Sequence, residues 1–572
     1  MVEPAARAVE IRTLEGPNLY FPRPAVKLTM SAGPWVRASR ERVEKAAGRL
    51  GLAIDPGAPG SDRRRRALCR IAARCALTLA TTQGVRIATR ARPGPEADEI
   101  IVAFPWRRRA AAEAFTGEVA AGMGAILVRS PTRVAREAAA RLATVDPGDE
   151  PASIEPDIPV VQITGTNGKT TTVRLLAHLV RASGRRVAYS STDGVYRDDG
   201  DLVEPGDYSG FGGAAMAIAE RPDVAVLETA RGGILLRGSG VMHNDVAVVT
   251  NVSEDHVGLL GVRTLDQLAE VKATITRITR RDGWDVLNAD DPRVLAMERA
   301  ATGRPWLFSV DPHHPALRHV LNEGGRAMTV SDGAVTWLER HDTHPLVPIV
   351  DVPSSLAGLS SVYTQNVLAA AAAGLAIGLP EKGVIKGLKT FVLDPERNPG
   401  RANLFRLDGR IIVVDYAHNE AGMTGLTEVL DGLRRRGSEV WLAICTAGDR
   451  TDEILRAFAF RAARGSDHLA IAHLRRYLRG RSADDVLEQL RAGAGEAGVV
   501  DVAVYDDELG AVRAMIEAAA PGDVVGVTAL GQRAELFTWL ADTGAERLSP
   551  ANVKRLVRAV ARSSAVADPS IA

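Results

Sequence analysis

The stretch Val160-Val-Gln-Ile-Thr-Gly-Thr-Asn-Gly-Lys-Thr-Thr-Thr172 sets an apolar, β-branched run in front of a glycine-containing turn that ends in Lys-Thr. Leu175, Leu176, Leu179 and Val180 follow at helical spacing. This order predicts a strand, a phosphate-binding turn and a helix. A phosphate needs several N–H donors at once, and residues without Cβ let the backbone come close to it. Gly165 and Gly168 permit that approach, the helix N-terminus supplies oriented N–H groups, and Lys169 adds a point charge for the terminal phosphates. Thr170 follows at the position whose hydroxyl meets Mg²⁺ in such turns. Ile163 stands where the first glycine of the general G-x-x-x-x-G-K-[ST] pattern would be, so the form is a shorter one.

Working outward, Arg185-Arg-Val-Ala-Tyr-Ser190 reads as the next strand of a parallel sheet and Thr192-Asp-Gly194 as the loop at its end. Pro222-Asp-Val-Ala-Val-Leu-Glu228 is a buried strand ending in a carboxylate, and open α/β sheets put their ligands at such ends. Glu228 is read there as a metal ligand, the alternative being a salt-bridged structural glutamate. Asp245-Val-Ala-Val-Val-Thr-Asn251 is a further strand, and it runs into Val252-Ser-Glu-Asp255-His256. A neutral His256 imidazole beside Glu228 would help to hold a second ion. Lys272, by contrast, reads on spacing alone as an ordinary helix lysine. The Ala-rich segment from Asn366 to about Gly378 is a close-packed core helix. Beyond the linker Asp394-Pro-Glu-Arg-Asn-Pro-Gly400, the strand Ile411-Ile-Val-Val-Asp415 leads into Tyr-Ala-His418-Asn419. Strands at 439–444, 468–472, 500–505 and 523–527 alternate with helices. Their loops Ala447-Gly-Asp-Arg450 and Gly531-Gln-Arg533 are read as holding an incoming amino acid.

The expected fold class is therefore α/β, in three parts: an N-terminal α+β domain over 1–145, a central P-loop parallel-sheet ATPase domain over 146–398, and a C-terminal Rossmann-like domain over 399–572. The first has strands at 9–20 and 99–104 and helices near 38–50, 64–80 and 108–122. The chain's 572 residues are too many for one core. Lys+Arg 71 against Asp+Glu 70 gives a net charge of +1, which points to neither nucleic acid nor a membrane surface. Three cysteines (Cys69, Cys75, Cys445) without metal-like spacing fit a reducing cytoplasm and read as buried thiols. The N-terminus lacks a signal-peptide layout, and no run of 18 apolar residues occurs, so a cytoplasmic protein is expected. The basic runs Arg63–Arg66 and Arg107–Arg109 read either as solvated helix faces or as an anion-docking surface.

A series of motifs gives the chain a family resemblance. Thr164-Gly-Thr-Asn-Gly-Lys-Thr-Thr-Thr172 resembles the ATP loop of the Mur ligase superfamily. Glu228-Thr-Ala-Arg-Gly-Gly-Ile-Leu235 resembles the corresponding run of the cyanophycin synthetases. So do the opening Val9–Tyr20 and the later Ala-Phe-Pro-Trp-Arg-Arg-Arg109, although the ATP-grasp module of that family has no room in the linker 145–159. Asn251-x-x-x-Asp-His256 resembles the superfamily metal motif, Asp415-Tyr-Ala-His418 its C-terminal signature, with Glu420 in place of the frequent proline, and Pro-Gly-Arg401 its interdomain arginine. The resemblance implies ATP bound by Gly165, Thr166, Asn167, Gly168, Lys169, Thr170 and Thr171, with Asn288, Asp290, Asn366, Arg401 and Asp415 around the nucleotide. It implies Mg²⁺ held by Thr170, Glu228, His256 and Lys272, the last as a carbamylated lysine. Lys169, Lys272, His256, Asp415 and His418 are the implied catalytic residues.

The function implied is an ATP-dependent, ADP-forming ligase that joins an amino acid to a carboxylate of an acidic amino acid, peptide or polymer through an acyl phosphate. The alternatives are a noncatalytic nucleotide-binding scaffold and an unrelated P-loop kinase. Neither a monomer nor a homo-oligomer is specified by the sequence.

Overall fold

Val160–Thr164 is buried at every residue, as a strand covered on both faces must be. In the computed structural model, which describes residues 6–198, 200–254, 258–448, 450–474, 477–478 and 480–567, this strand lies inside an 11-stranded sheet. Its neighbours are Asn244–Val249 and Val224–Glu228, both parallel to it. Parallel pairing continues through Thr279–Asn288, Arg304–Phe308 and Arg326–Ser331 on one side and through Val187–Ser191 on the other. Antiparallel hairpins finish both edges. The chain leaves Val160–Thr164, forms the helix Lys169–Ala182 and returns as Val187–Ser191, beyond the place taken by Val224–Glu228. The carboxyl ends of the parallel strands thus share one edge of the sheet, and the turn 165–168 opens there.

A second, 7-stranded sheet carries the C-terminal part. Ala503–Tyr505, His468–Ala472, Val440–Ile444, Val524–Thr528 and Arg410–Asp415 run parallel, and Asn403–Leu407 and Glu546–Arg547 close its edge antiparallel. This is the mixed α/β architecture that the alternation of strands and helices predicts.

By compactness the chain divides into two units, Met1–Pro156 with Gly210–Ala215 and Thr229–His243, and the remainder. The first unit contains a 4-stranded antiparallel sheet in the order Arg7–Leu14, Ala25–Ser31, Glu99–Pro105, Arg90–Pro93, and the helices Asp62–Thr82, Arg109–Ile126 and Pro131–Leu142. Part of each basic run is committed within the unit. Arg64 is fully buried, and its guanidinium donates to the carbonyls of Trp35, Ala38, Pro56 and Gly57. Arg108 pairs with Glu150, and Arg109 with the buried Glu15, which also takes Arg237. Cys69, Cys75 and Cys445 are buried and free. No helix among the described residues is long and apolar enough to cross a membrane.

Within the second unit, the phosphate-turn helix packs on the helix Ser361–Ala376, whose residues Ala369 to Ala373 are fully buried. Asn366 does not begin this helix, as the sequence suggested; the helix begins at Ser361. The reason is a tertiary cap. Glu428, from the C-terminal helix Glu420–Leu433, accepts the backbone N–H of Ser361 at 3.0 Å and both serine hydroxyls. Asn366 lies one turn further in, against the glycine turn. Gly168 has φ 84°, and a Cβ there would lie 2.1 Å from Asn366 Oδ1.

Two predictions follow from this packing. Gly168→Ala should lose about 1 kcal/mol for the left-handed backbone and more for displacing Asn366. In an Asn366→Ala background the loss should shrink toward the backbone part; equal losses in urea unfolding would refute the contact. The second concerns Asp285, buried in the strand Thr279–Asn288, where its carboxylate accepts from Thr279 Oγ1 (2.7 Å) and Gly303 N (2.8 Å). Burial pushes this carboxyl up to about 7. A carboxyl raised on folding contributes stability at low pH that is lost as pH rises through its folded value. Asp285→Asn, able to donate to Thr279 and accept from Gly303, should therefore flatten the fall of the denaturation midpoint between about pH 4 and 7.

Candidate active site

The turn 165–168 is fastened from one side by the end of the neighbouring strand. Asn251 accepts the N–H of Thr166 on its carbonyl (2.9 Å) and that of Asn167 on Oδ1 (2.8 Å). Its Nδ2 and the Thr250 hydroxyl both donate to the Asn167 carbonyl, at 3.1 and 2.6 Å. Gly165 must be glycine for this: a Cβ would sit 1.8 Å from Thr250 Oγ1. Lys272 is buried at the end of the helix Leu265–Lys272, and its Nζ donates to the Gly165 carbonyl at 2.6 Å. Lys169 folds across the turn to the Thr166 carbonyl at 2.8 Å. The first helical hydrogen bond runs from Thr172 N to Gly168 O, so the N–H groups before it point ahead of the helix. That is an anion cradle with a lysine at its rim.

Glu228 sits at the end of its strand, 2% exposed. Thr170 Oγ1 donates to its Oε2 at 2.9 Å and lies 3.3 Å from Thr192 Oγ1. Burial raises the Glu228 carboxyl above its usual range, while the charge of Lys169, the Thr170 hydroxyl and the charge of Arg401 pull it back. Oε1 is buried without a hydrogen-bond partner among the described residues. Mg²⁺ is usually held by one or two carboxylates together with substrate phosphates. A hard, unpartnered carboxylate oxygen beside a threonine hydroxyl and an anion cradle fits that donor set. His256, the other expected metal ligand, lies outside the described residues.

The remaining residues expected around the nucleotide surround this cradle in different ways. Thr171 accepts from Asn398 Nδ2 of the linker at 3.3 Å. Asn288 donates to the Thr250 carbonyl (2.7 Å) and accepts the Asp290 N–H. The Asp290 carboxylate is taken up by Ser309 Oγ, Val310 N and Gln365 Nε2. Asp415 is buried, and its Oδ2 accepts from Tyr363 OH (2.7 Å) and Ala402 N (2.8 Å), joining the Ser361–Ala376 helix to the linker. Burial and that carboxylate push the Tyr363 phenol well above its ordinary value. The Arg401 guanidinium lies over the Tyr416 ring, 4.2 Å from its centroid. His418 Nδ1 lies 2.8 Å from the Tyr416 carbonyl, which can only accept, so a neutral imidazole carries its proton on Nδ1.

Several partners were not singled out from the sequence. Asn251 and Thr250 hold the turn, and Asn419 exchanges amide hydrogen bonds with Asn167 at 3.1 Å in each direction while capping the helix Glu420–Leu433. The available signal was position: each of these asparagines follows an apolar strand.

Two family models match consecutive stretches, the Mur ligase middle domain over residues 163–374 and the "Mur ligase, glutamate ligase domain" over 400–531. The chain is 38% identical over 335 residues to a cyanophycin synthetase of Crocosphaera subtropica, which covers 58% of this chain but 38% of that relative's length. It is 28% identical over 381 residues to the UDP-N-acetylmuramyl-tripeptide synthetase of Deinococcus radiodurans, covering 64% of this chain and 72% of the relative. Among solved structures, E. coli FolC in complex with DHPP and ADP superposes with a TM-score of 0.51 at 21% identity, over 68% of this chain and 90% of that one, a likeness of fold. Through its two consecutive matched domains, the chain belongs to the Mur ligase family.

Proposed function

We propose that the protein is an ATP-dependent, ADP-forming ligase that joins the amine of an amino acid to a carboxylate of an acidic amino acid, peptide or polymer. The observation that carries this reading is the Glu228–Thr170 pair, with its unpartnered carboxylate oxygen, at the mouth of the anion cradle. The relatives support it by name, being synthetases of cyanophycin and of a muramyl tripeptide.

In this reading the substrate carboxylate attacks the γ-phosphorus of ATP, the bond to the β–γ bridging oxygen breaks, and ADP leaves. The loop N–H groups and Lys169 stabilise charge on the transferring group. Mg²⁺, when bound by Glu228 and Thr170 with His256, supplies charge neutralisation at the phosphate oxygens. The amine then attacks the acyl carbon, the carbon–phosphate oxygen bond breaks, and inorganic phosphate is released. His418, oriented by its contact with the Tyr416 carbonyl, is the base assigned to the proton that the amine loses. Asn288, Asn366, Arg401 and Asp415 shape the nucleotide side. Lys272 as an ammonium holds the turn through Gly165; a carbamate on the same nitrogen would keep one N–H for that bond and add oxygen donors for the ion.

The test is ADP release from Mg·ATP, screened against amino acids paired with acidic peptides, with mass spectrometry of the products. Release that requires both partners and yields a product heavier by one amino acid less water is expected. Nucleotide binding without turnover for any pair would favour a scaffold instead. Lys169→Ala should abolish ADP formation, and wild-type turnover in that variant would sink the assignment of the turn.

Glu228→Gln separates stability from function. Ionised Glu228 is strained in the absence of a cation, since its carboxyl is raised by burial, so the neutral isostere should unfold at an equal or higher temperature at neutral pH. Its Mg²⁺ requirement for turnover should rise about 10- to 100-fold. A lower melting temperature with an unchanged requirement would assign Glu228 a purely structural role.

A further inference from the structure

Away from the cradle, one carboxylate gathers cations from two parts of the second unit. Asp193 follows the strand Val187–Ser191. Its Oδ2 accepts from Arg174 Nη2 of the phosphate-turn helix at 2.9 Å, and its Oδ1 from Arg533 Nη2 of the C-terminal sheet's helix Arg533–Asp542 at 3.4 Å. Each arginine spends a second N–H on the linker between the matched domains: Arg174 Nη1 donates to the Arg397 carbonyl at 2.8 Å, and Arg533 Nη1 to that of Pro399 at 3.2 Å. Arg533 is held in place from behind. The loop before it is fixed by buried Glu508, whose carboxylate accepts the N–H groups of Leu530, Gly531 and Gln532 at 2.9, 2.8 and 2.6 Å.

On its other side Asp193 is joined to the chemistry. Its neighbour Thr192 lies 3.3 Å from Thr170, the residue whose hydroxyl meets Glu228. The Arg174 side chain is 5% exposed, so its charge has little water to lean on and depends on Asp193. Four hydrogen bonds around one carboxylate thus tie together a helix, a loop, a linker and the C-terminal sheet.

We propose that Asp193 and Arg533 form an ionic clasp that holds the C-terminal domain in register with the phosphate cradle, Arg533 being a positioning residue for ligation. Its effect on turnover rests on the ligase reading above; the clasp itself does not. An acyl phosphate survives only while water is kept from it, so the domain that brings the amine must be seated before the phosphoryl group moves. A guanidinium that bridges the Asp193 carboxylate and the Pro399 carbonyl does this with a planar fork; an ammonium reaches one of them at a time.

The experiment uses the full chain with cysteines introduced at the exposed positions Glu323 and Glu496, spin-labelled, the native thiols being buried. Pulsed electron-spin distances are recorded without nucleotide and with Mg²⁺ and AMP-PNP. The parent should give a narrow distribution, Arg533→Ala a longer and broader one, and Arg533→Lys an intermediate one. Asp193→Asn with Arg533→Ala should broaden it no further than Arg533→Ala alone. A distribution for Arg533→Ala that superposes on the parent overturns the clasp. Failure of the parent to bind AMP-PNP would instead defeat the ligase reading, and the nucleotide-free distances would still decide the clasp. With substrates in hand, Arg533→Ala should raise the ADP released per amide formed by about tenfold, as water competes for the acyl phosphate. An unchanged ratio overturns the positioning role.

Discussion

A carboxylate withdrawn from water at the end of a parallel strand is costly unless positive charge faces it, and Glu228 is such a group. The residues around it are arranged to offset that cost only in part. Lys169 and Arg401 contribute charge, Thr170 contributes a hydrogen bond, and one oxygen is left over. In the proposed reading, this incomplete compensation in the protein alone is what makes the position receptive to a cation brought in with phosphate. The same field explains why the turn beside it is built from backbone donors. Amides carry no net charge, so they can be crowded against the lysine without repulsion, and a chain of bonds from Asn251, Thr250 and Lys272 keeps them aimed.

The parallel sheet was legible in the residues because its strands are short, apolar and β-branched, and because a glycine turn between an apolar run and a helical pattern marks a strand–turn–helix passage. Glu228 was legible for the same reason: a charged residue at the end of a buried run stands out. What could not be read was anything set by contacts distant in sequence. The start of the Ser361–Ala376 helix is decided by Glu428, far along the chain, so local capping signals misplace it. Arg64 sits in a basic run that looks solvated, yet it is buried where backbone carbonyls from two separate stretches converge on its guanidinium. Asp193 and Arg533 each appear in a polar loop, and nothing local pairs them.

The family match and the geometry bear on different parts of the molecule. The two matched domains hold the cradle and the Asp415–His418 loop on either side of the linker, whereas the residues before 163 carry a core and a buried arginine of their own. The chain spans 38% of the length of the cyanophycin synthetase it matches, so what that longer relative makes does not transfer as a whole.

The cap that Glu428 provides has a consequence for how this molecule comes apart. The helix it caps bears Asn366 against Gly168 and Tyr363 against Asp415, so the start of that helix is held by one domain while its body supports the turn of the other. Excised from its neighbour, the central domain would keep its sheet but lose a cap typically worth about 1 kcal/mol, and the first turn of the helix would fray. Fraying would free Asn366 and loosen the turn it presses upon. The two domains are therefore coupled through that cap although each has a complete sheet, and loosening the C-terminal helix would be felt at the turn of the central domain.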